Sequence, residues 1–166
     1  MQTFRDHADY HLAQINIGTI RAPLDNPIMA DFVAQLEAIN AIADHSPGFI
    51  WRLIGNQDND ATSFRPYDDD RILINLSVWE SIEAFTAFVY RSQHGHVMRD
   101  RHLWFEKSDQ PILALWWVPA GHLPTVEEAK ARLDHLRQQG ATPYAFSVRT
   151  PFPPEATLRE TSHADY

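Results

Sequence analysis

Apolar residues recur along this chain with two different periods, and the switches between them mark its elements. His11–Gly18 (HLAQINIG) alternates every second residue, with Ala13, Ile15 and Ile17 on one face and Leu12, Gln14 and Asn16 on the other. Arg21–Pro27 reads as a turn, where Asn26 can cap a helix that has Pro27 at its first position. Ile28, Phe32, Leu36, Ile39 and Ala43 then form a stripe at helical spacing, until Ser46-Pro47-Gly48 stops it. Phe49–Gly55 (FIWRLIG) is a short apolar strand, with Phe49, Trp51 and Leu53 backed by Ile50 and Ile54. Asn56–Asp70 is acidic and aperiodic, which predicts a long exposed loop. Alternation returns in Arg71–Trp79: Ile72, Ile74, Leu76 and Val78 oppose Leu73, Asn75, Ser77 and Trp79. Ser81 caps a second helix striped by Ile82, Phe85 and Phe88 or Val89, followed by a further helical segment after a kink near Ser92. Pro111–Val118 (PILALWWV) is a strand apolar on both faces, Val126–Gln139 a charged helix closed by Gly140, and Ala145–Arg149 a last strand.

That order is strand, helix, strand, strand, helix, strand, and it predicts an α+β fold: a ferredoxin-like, split βαβ sheet with two helices on one face and an extra helix and strand behind. Residues 1–155 form one domain, and Ala156–Tyr166 reads as a flexible polar tail. Two helices leave the second sheet face uncovered, yet Ile112, Ala114, Trp116 and Val118 oppose Leu113, Leu115 and Trp117, so either face carries tryptophan and aliphatic residues. A wetted face of that kind is rare in a monomer. Either a second copy of the sheet covers it, making a dimeric α/β barrel, or helix Val126–Gln139 folds over it. The charge of that helix (Glu127, Glu128, Lys130, Arg132, Asp134) favours the homodimer.

Composition narrows the function. The 166 residues carry a net charge of −8, which repels a phosphate backbone and argues against nucleic-acid binding. No apolar run is long enough to cross a bilayer, and acids near the N-terminus oppose a signal peptide, so a cytoplasmic address is expected with no membrane partner. Cysteine is absent, which removes thiolate catalysis and thiolate metal ligands. No phosphate-cradling glycine loop and no GxSxG occurs.

Tyr90–Phe105 (YRSQHGHVMRDRHLWF) concentrates three histidines and three arginines. On a helix His94 and His96 stand about 200° apart, so no metal site is expected here. His94 shares a semi-apolar stripe with Val97, Arg101 and Trp104. It is either a core-edge histidine or a cavity residue poised as general base or axial haem ligand. Gln14 and Asn16 on the first strand, Asn75 and Ser77 on the third, and the lone charge Arg52 add polar groups to faces otherwise apolar. They form either a pocket with a few oriented donors or a network fixing dimer register. Tryptophans are more often core than platform; Trp104 and Trp117 are the candidates for stacking on a ligand.

Val78–Phe85 (VWESIEAF) followed by His94 resembles the strand-to-helix signature of the dimeric α/β-barrel superfamily, which includes antibiotic-biosynthesis and haem-degrading monooxygenases. More closely, HLAQINIGTIRAPLDNPIMADFV, SPGFIWRL, VYRSQHGHVMRDRHLWF and LWWVPAGHLPTVEEAKARLDHL resemble an uncharacterised bacterial family, domain of unknown function 3291, over roughly His11 to Pro154. The resemblance implies the barrel fold and a homodimer. By analogy with the superfamily it implies cofactor-independent oxidation of an aromatic or polycyclic small molecule, or haem binding through His94. Asn16 and His94 match cavity residues of the superfamily in position and would be catalytic. Phe88 falls where those enzymes carry a tryptophan, and a phenyl ring cannot donate the hydrogen bond that an indole does.

Overall fold

The computed structural model describes residues 9–54, 66–93 and 100–154. Four antiparallel strands make one sheet in the order β2-β3-β1-β4, with β1 Tyr10–Thr19, β2 Phe49–Arg52, β3 Ile72–Trp79 and β4 Leu113–Pro119. This is the ferredoxin-like order expected from the element sequence. Helix α1, Ala30–Asp44, joins β1 to β2. It is entered through the turn Pro27–Met29, where the Asn26 side chain accepts from the Ile28 amide at 3.0 Å. Helix α2, Ile82–Gln93, and the single turn α3, Arg101–Trp104, connect β3 to β4. Helix α4, Val126–Gln139, follows. Among the described residues no helix is long and apolar enough to cross a membrane.

The period-2 pattern sorts the two faces. Leu12, Trp79, Leu115 and Trp117 pack with Phe85 beneath α1 and α2. Ala13, Ile15, Leu76, Val78 and Trp116 form the opposite core. That second face does not wait for a partner. Helix α4 lies across it with Ala129, Leu133 and Leu136 buried at i, i+4, i+7 spacing. Its charges, which argued against this role, assist in it. Glu128 Oε2 accepts from the Trp116 indole at 3.0 Å, and the Arg132 guanidinium stacks 3.8 Å from the Tyr144 ring centroid. Long charged side chains cover apolar surface with their stems while their heads find partners. Ile15, Leu76, Val78 and Trp116 are therefore fully buried within one chain, and the argument that this face demands a second copy is corrected.

Strand β2 departs from simple alternation. Phe49 pairs with Trp79, Trp51 with Val78 and Arg52 with Ser77, so a bulge at Ile50 shifts the phase. Phe49 and Arg52 consequently share the α1–α2 face, while Trp51 turns to the α4 side. The strand ends at Arg52 rather than running to Gly55, although the Leu53 amide still reaches the Leu76 carbonyl at 2.8 Å. The last strand expected at Ala145–Arg149 is reduced to a bridge between Phe146 and Leu115. The tail 156–166 lies outside the described residues.

Candidate active site

Between the sheet and helices α1 and α2 lies a cavity of about 300 Å³. It forms within a single chain. Its floor is a row of amides placed by strand register, because Gln14 pairs with Ser77 and Asn16 with Asn75 across β1 and β3. Gln14, 1% exposed, donates from Nε2 to Asn75 Oδ1 and Ser77 Oγ, both at 2.7 Å. Asn16 Nδ2 donates to Gln14 Oε1 at 3.1 Å and to Asn75 Oδ1 at 3.2 Å. The Trp79 indole, which can only donate, bonds Ser77 Oγ at 2.9 Å and ties the network to the core. Among the described residues, Asn16 Oδ1 and the Asn75 amide NH₂ have no hydrogen-bond partner, and both residues line the cavity. An acceptor and a donor group thus remain available to a ligand.

The walls are apolar. Phe32, Leu36 and Ile39 come from α1; Phe85, Phe88 and Val89 come from α2. Phe88 stacks on Trp79 at a centroid distance of 4.9 Å and an interplanar angle of 23°. Asn40 interrupts the α1 wall. It is 5% exposed and makes no side-chain hydrogen bond among the described residues, so its amide is a buried polar group that a ligand can satisfy.

Two cations complete the site. Arg52, brought round by the bulge, holds Asp44 through Nε–Oδ1 at 2.8 Å and Nη2–Oδ2 at 3.2 Å. Arg101 lies 4.6 Å above the Phe105 ring, and burial pushes its guanidinium below the ordinary arginine value. The position of that ring depends on Gly18. A Cβ there would stand 2.5 Å from Phe105 Cδ1, so only a glycine lets the ring lie against β1 with Arg101 above it.

A family profile described as "Domain of unknown function (DUF3291)" matches residues 11–162. The chain belongs to the DUF3291 family. No characterised protein matches it significantly in sequence. Among solved structures it is similar to SnoaB, a cofactor-independent oxygenase from Streptomyces nogalater, at 16% identity over 69% of this chain and 98% of SnoaB, with a TM-score of 0.46. A conserved protein from Methanosarcina mazei Go1 is similar at 7% identity over 70% of this chain and 98% of that one, TM-score 0.47. A monooxygenase from the gene ActVA-Orf6 of Streptomyces coelicolor, solved with Nanaomycin D, is similar at 13% identity over 72% and 95%, TM-score 0.34. At such scores the fold assignment stands on the DUF3291 chain's own strand order and register.

Of the residues singled out in the sequence, Gln14, Asn16, Arg52, Asn75, Phe88 and Arg101 line this cavity. Ser77 stands one layer behind them, accepting from Gln14 and Trp79. Trp104 and Trp117 do not line it. Trp104 packs against Phe32 at 5.8 Å, and the Trp117 indole donates to the Phe152 carbonyl at 2.7 Å. Both are core residues of the DUF3291 chain rather than platforms. His94 lies outside the described residues. Asn40 went unnoticed in the sequence, although a polar residue four positions after Leu36, inside an apolar stripe, was the available signal.

Proposed function

We propose that this protein binds a one- or two-ring hydroxyarene in the cavity and oxidises it with molecular oxygen, without a bound organic cofactor. The observation that carries this reading is the amide floor beside Arg101. Asn75 Nδ2 is a donor for a phenolic oxygen, Asn16 Oδ1 is an acceptor for a polar group of the ligand, and the Arg101 guanidinium lines the same cavity as a cation to offset developing negative charge. Phe88, backed by Trp79, offers a flat wall for the rings. The sequence resemblance supplies the class of reaction. His94 follows the cavity residue Ser92 by two positions in the chain and is the proposed base.

The reaction balances for 1-naphthol. The base takes the hydroxyl proton, the electron-rich para carbon of the naphtholate forms a bond to O₂, and the resulting hydroperoxide loses water to give 1,4-naphthoquinone. One O₂ is consumed and one H₂O released per turnover. General-base assistance of this kind is worth about 10²–10⁴-fold.

Titrating the purified protein with 1-naphthol while following Trp79-sensitive fluorescence tests the binding step, and an oxygen electrode tests turnover. Saturable quenching with oxygen uptake that disappears in a folded His94→Ala variant is the expected result. Uptake retained by that variant removes His94 as the base; absence of any saturable quenching removes the ligand class. A homodimer belongs to this reading as well, with the short edge strand β2 and, just beyond its end, Ile54, 47% exposed, as the surface left for a second copy. Sedimentation at micromolar concentration decides it, and a monomer would leave the cavity intact because the cavity needs one chain.

A further inference from the structure

The inner cavity shares Ile17, Gly18, Arg101, Phe105 and Ile112 with a second, outer cleft of about 750 Å³ at the end of the sheet. The outer cleft has a different chemistry. Arg21 and Arg137 line it together with Arg101, and Lys107 stands on its rim. Each outer guanidinium is anchored by its inner nitrogen alone: Arg21 Nε donates to the His102 carbonyl at 2.9 Å, and Arg137 Nε donates to the Pro111 carbonyl at 2.8 Å. Their terminal NH₂ pairs are thereby held in place without being used. Among the described residues, no carboxylate ion-pairs with Arg21, Arg101 or Arg137. Arg71 at the same end behaves differently, being tied to Asp69 at 3.0 Å and to Glu106 at 2.9 Å. Of the two carboxylates in the cleft, Glu106 is thus engaged by Arg71, and Asp109 lies exposed.

Guanidinium groups that are oriented but lack an anion are suited to accept one, since the planar fork matches carboxylate and phosphate oxygens. The contrast with the rest of the molecule sharpens the point, because this cationic cleft belongs to a chain of net charge −8. A local positive site on an acidic protein selects an anion by position rather than by bulk attraction.

We infer that the ligand is two-part: its ring system occupies the inner cavity while a tail ending in a carboxylate or phosphate passes Arg101 and is held by Arg21 and Arg137 in the outer cleft. The inference rests on the ring-binding reading above and extends it to a substrate class, hydroxyarenes with an anionic side chain. Arg101 stands at the junction of the two compartments. The Phe105 ring lies beneath it, seated on Gly18.

The test uses four probes: 1-naphthol, 4-(5-hydroxynaphthalen-1-yl)butanoic acid, its methyl ester, and the phosphate monoester of the corresponding butanol. Dissociation constants are read from fluorescence titration. The acid and the phosphate should bind about tenfold more tightly than the ester, and this advantage should shrink between 50 and 500 mM NaCl while ester binding holds. Whichever anion is favoured identifies the headgroup. An Arg21→Gln/Arg137→Gln double variant should lose most of the acid's advantage over the ester, with ester affinity unchanged, because neither arginine lines the inner cavity. Lys107→Glu on the exposed rim gives a second variant should the first fail to fold, and it should weaken the acid and the phosphate but not the ester. Acid and ester bound equally by the wild-type protein would overturn the tail site and leave the ring site standing, as would an advantage undiminished in the double variant. Failure of all four probes, 1-naphthol included, would overturn both.

Discussion

Gln14 Nε2 stands 2.7 Å from Ser77 Oγ, its register partner across the β1–β3 ladder, and the same nitrogen reaches Asn75 Oδ1 at 2.7 Å. One buried amide thus ties three polar side chains into a rigid floor. Gln14→Leu would leave Asn75, Ser77 and Asn16 short of partners and should cost about 2 kcal/mol or more. Asn16→Ala removes two longer, part-buried bonds and should cost about 1 kcal/mol, yet weaken 1-naphthol binding. Urea denaturation together with probe titration separates the two effects. Equal stability losses for the two variants would contradict the central place given to Gln14.

The amide floor was legible in the sequence because strand alternation places every second residue on one face, and Gln14, Asn16, Asn75 and Ser77 all obey it. Arg52 shows where that logic stops. Alternation puts it with Ile50, away from Phe49, but the bulge inserts a residue and returns it to the cavity side. Nothing in FIWR announces a bulge. The cover of the second face was misread for a related reason. Counting large apolar residues on α4 ignored the stems of Arg132 and Glu128, whose polar ends are tied to the Tyr144 carbonyl and the Trp116 indole. Trp104 and Trp117 could not be sorted from platform residues by spacing, since each lies on an apolar stripe in either case.

Gly18 should not tolerate a side chain. Gly18→Ala places a methyl group 2.5 Å from Phe105 Cδ1 and 3.4 Å from an Arg101 nitrogen. Overpacking of this kind costs about 1–3 kcal/mol. The ring and the guanidinium above it must move together, so the variant should lose affinity for the anionic naphthol probes more than for 1-naphthol itself. A variant that keeps both stability and probe selectivity would show that Phe105 can swing aside at no cost.

The ion pair between Arg52 and Asp44 should matter more than its partial exposure suggests. Arg52 is 5% exposed and Asp44 38% exposed, so removing the acid strips a carboxylate from a buried cation. Asp44→Ala should cost about 3 kcal/mol, seen as a lower urea midpoint. Because Arg52 lines the cavity, the same change leaves one negative charge fewer beside it, and binding of the naphtholate form should strengthen relative to naphthol as pH is raised through the naphthol pKa. A loss below about 0.5 kcal/mol would place this pair with ordinary surface ion pairs.

Tyr67 offers a test of the α4 side of the sheet that is independent of any ligand. Burial, reinforced by Asp134, pushes its phenol up to about 12, against the ordinary 10.0. Its Oη is buried without a hydrogen-bond partner among the described residues, while Lys130 Nζ stands 5.0 Å from the ring centroid. The folded state therefore favours the neutral phenol. The sign follows: this contribution to stability is whole below pH 10 and drains away as pH rises through 12. Tyr67→Phe keeps the ring and its cation contact but discards the orphaned hydroxyl, so at pH 7 it should be more stable by about 1 kcal/mol. Between pH 10 and 12 the wild type should lose stability that the variant retains, and the gap between their urea midpoints should widen. A phenylalanine variant that is weaker at pH 7, with a gap that does not grow in alkali, would mean the hydroxyl has a partner in the folded chain and that the neutral phenol is not what the core selects.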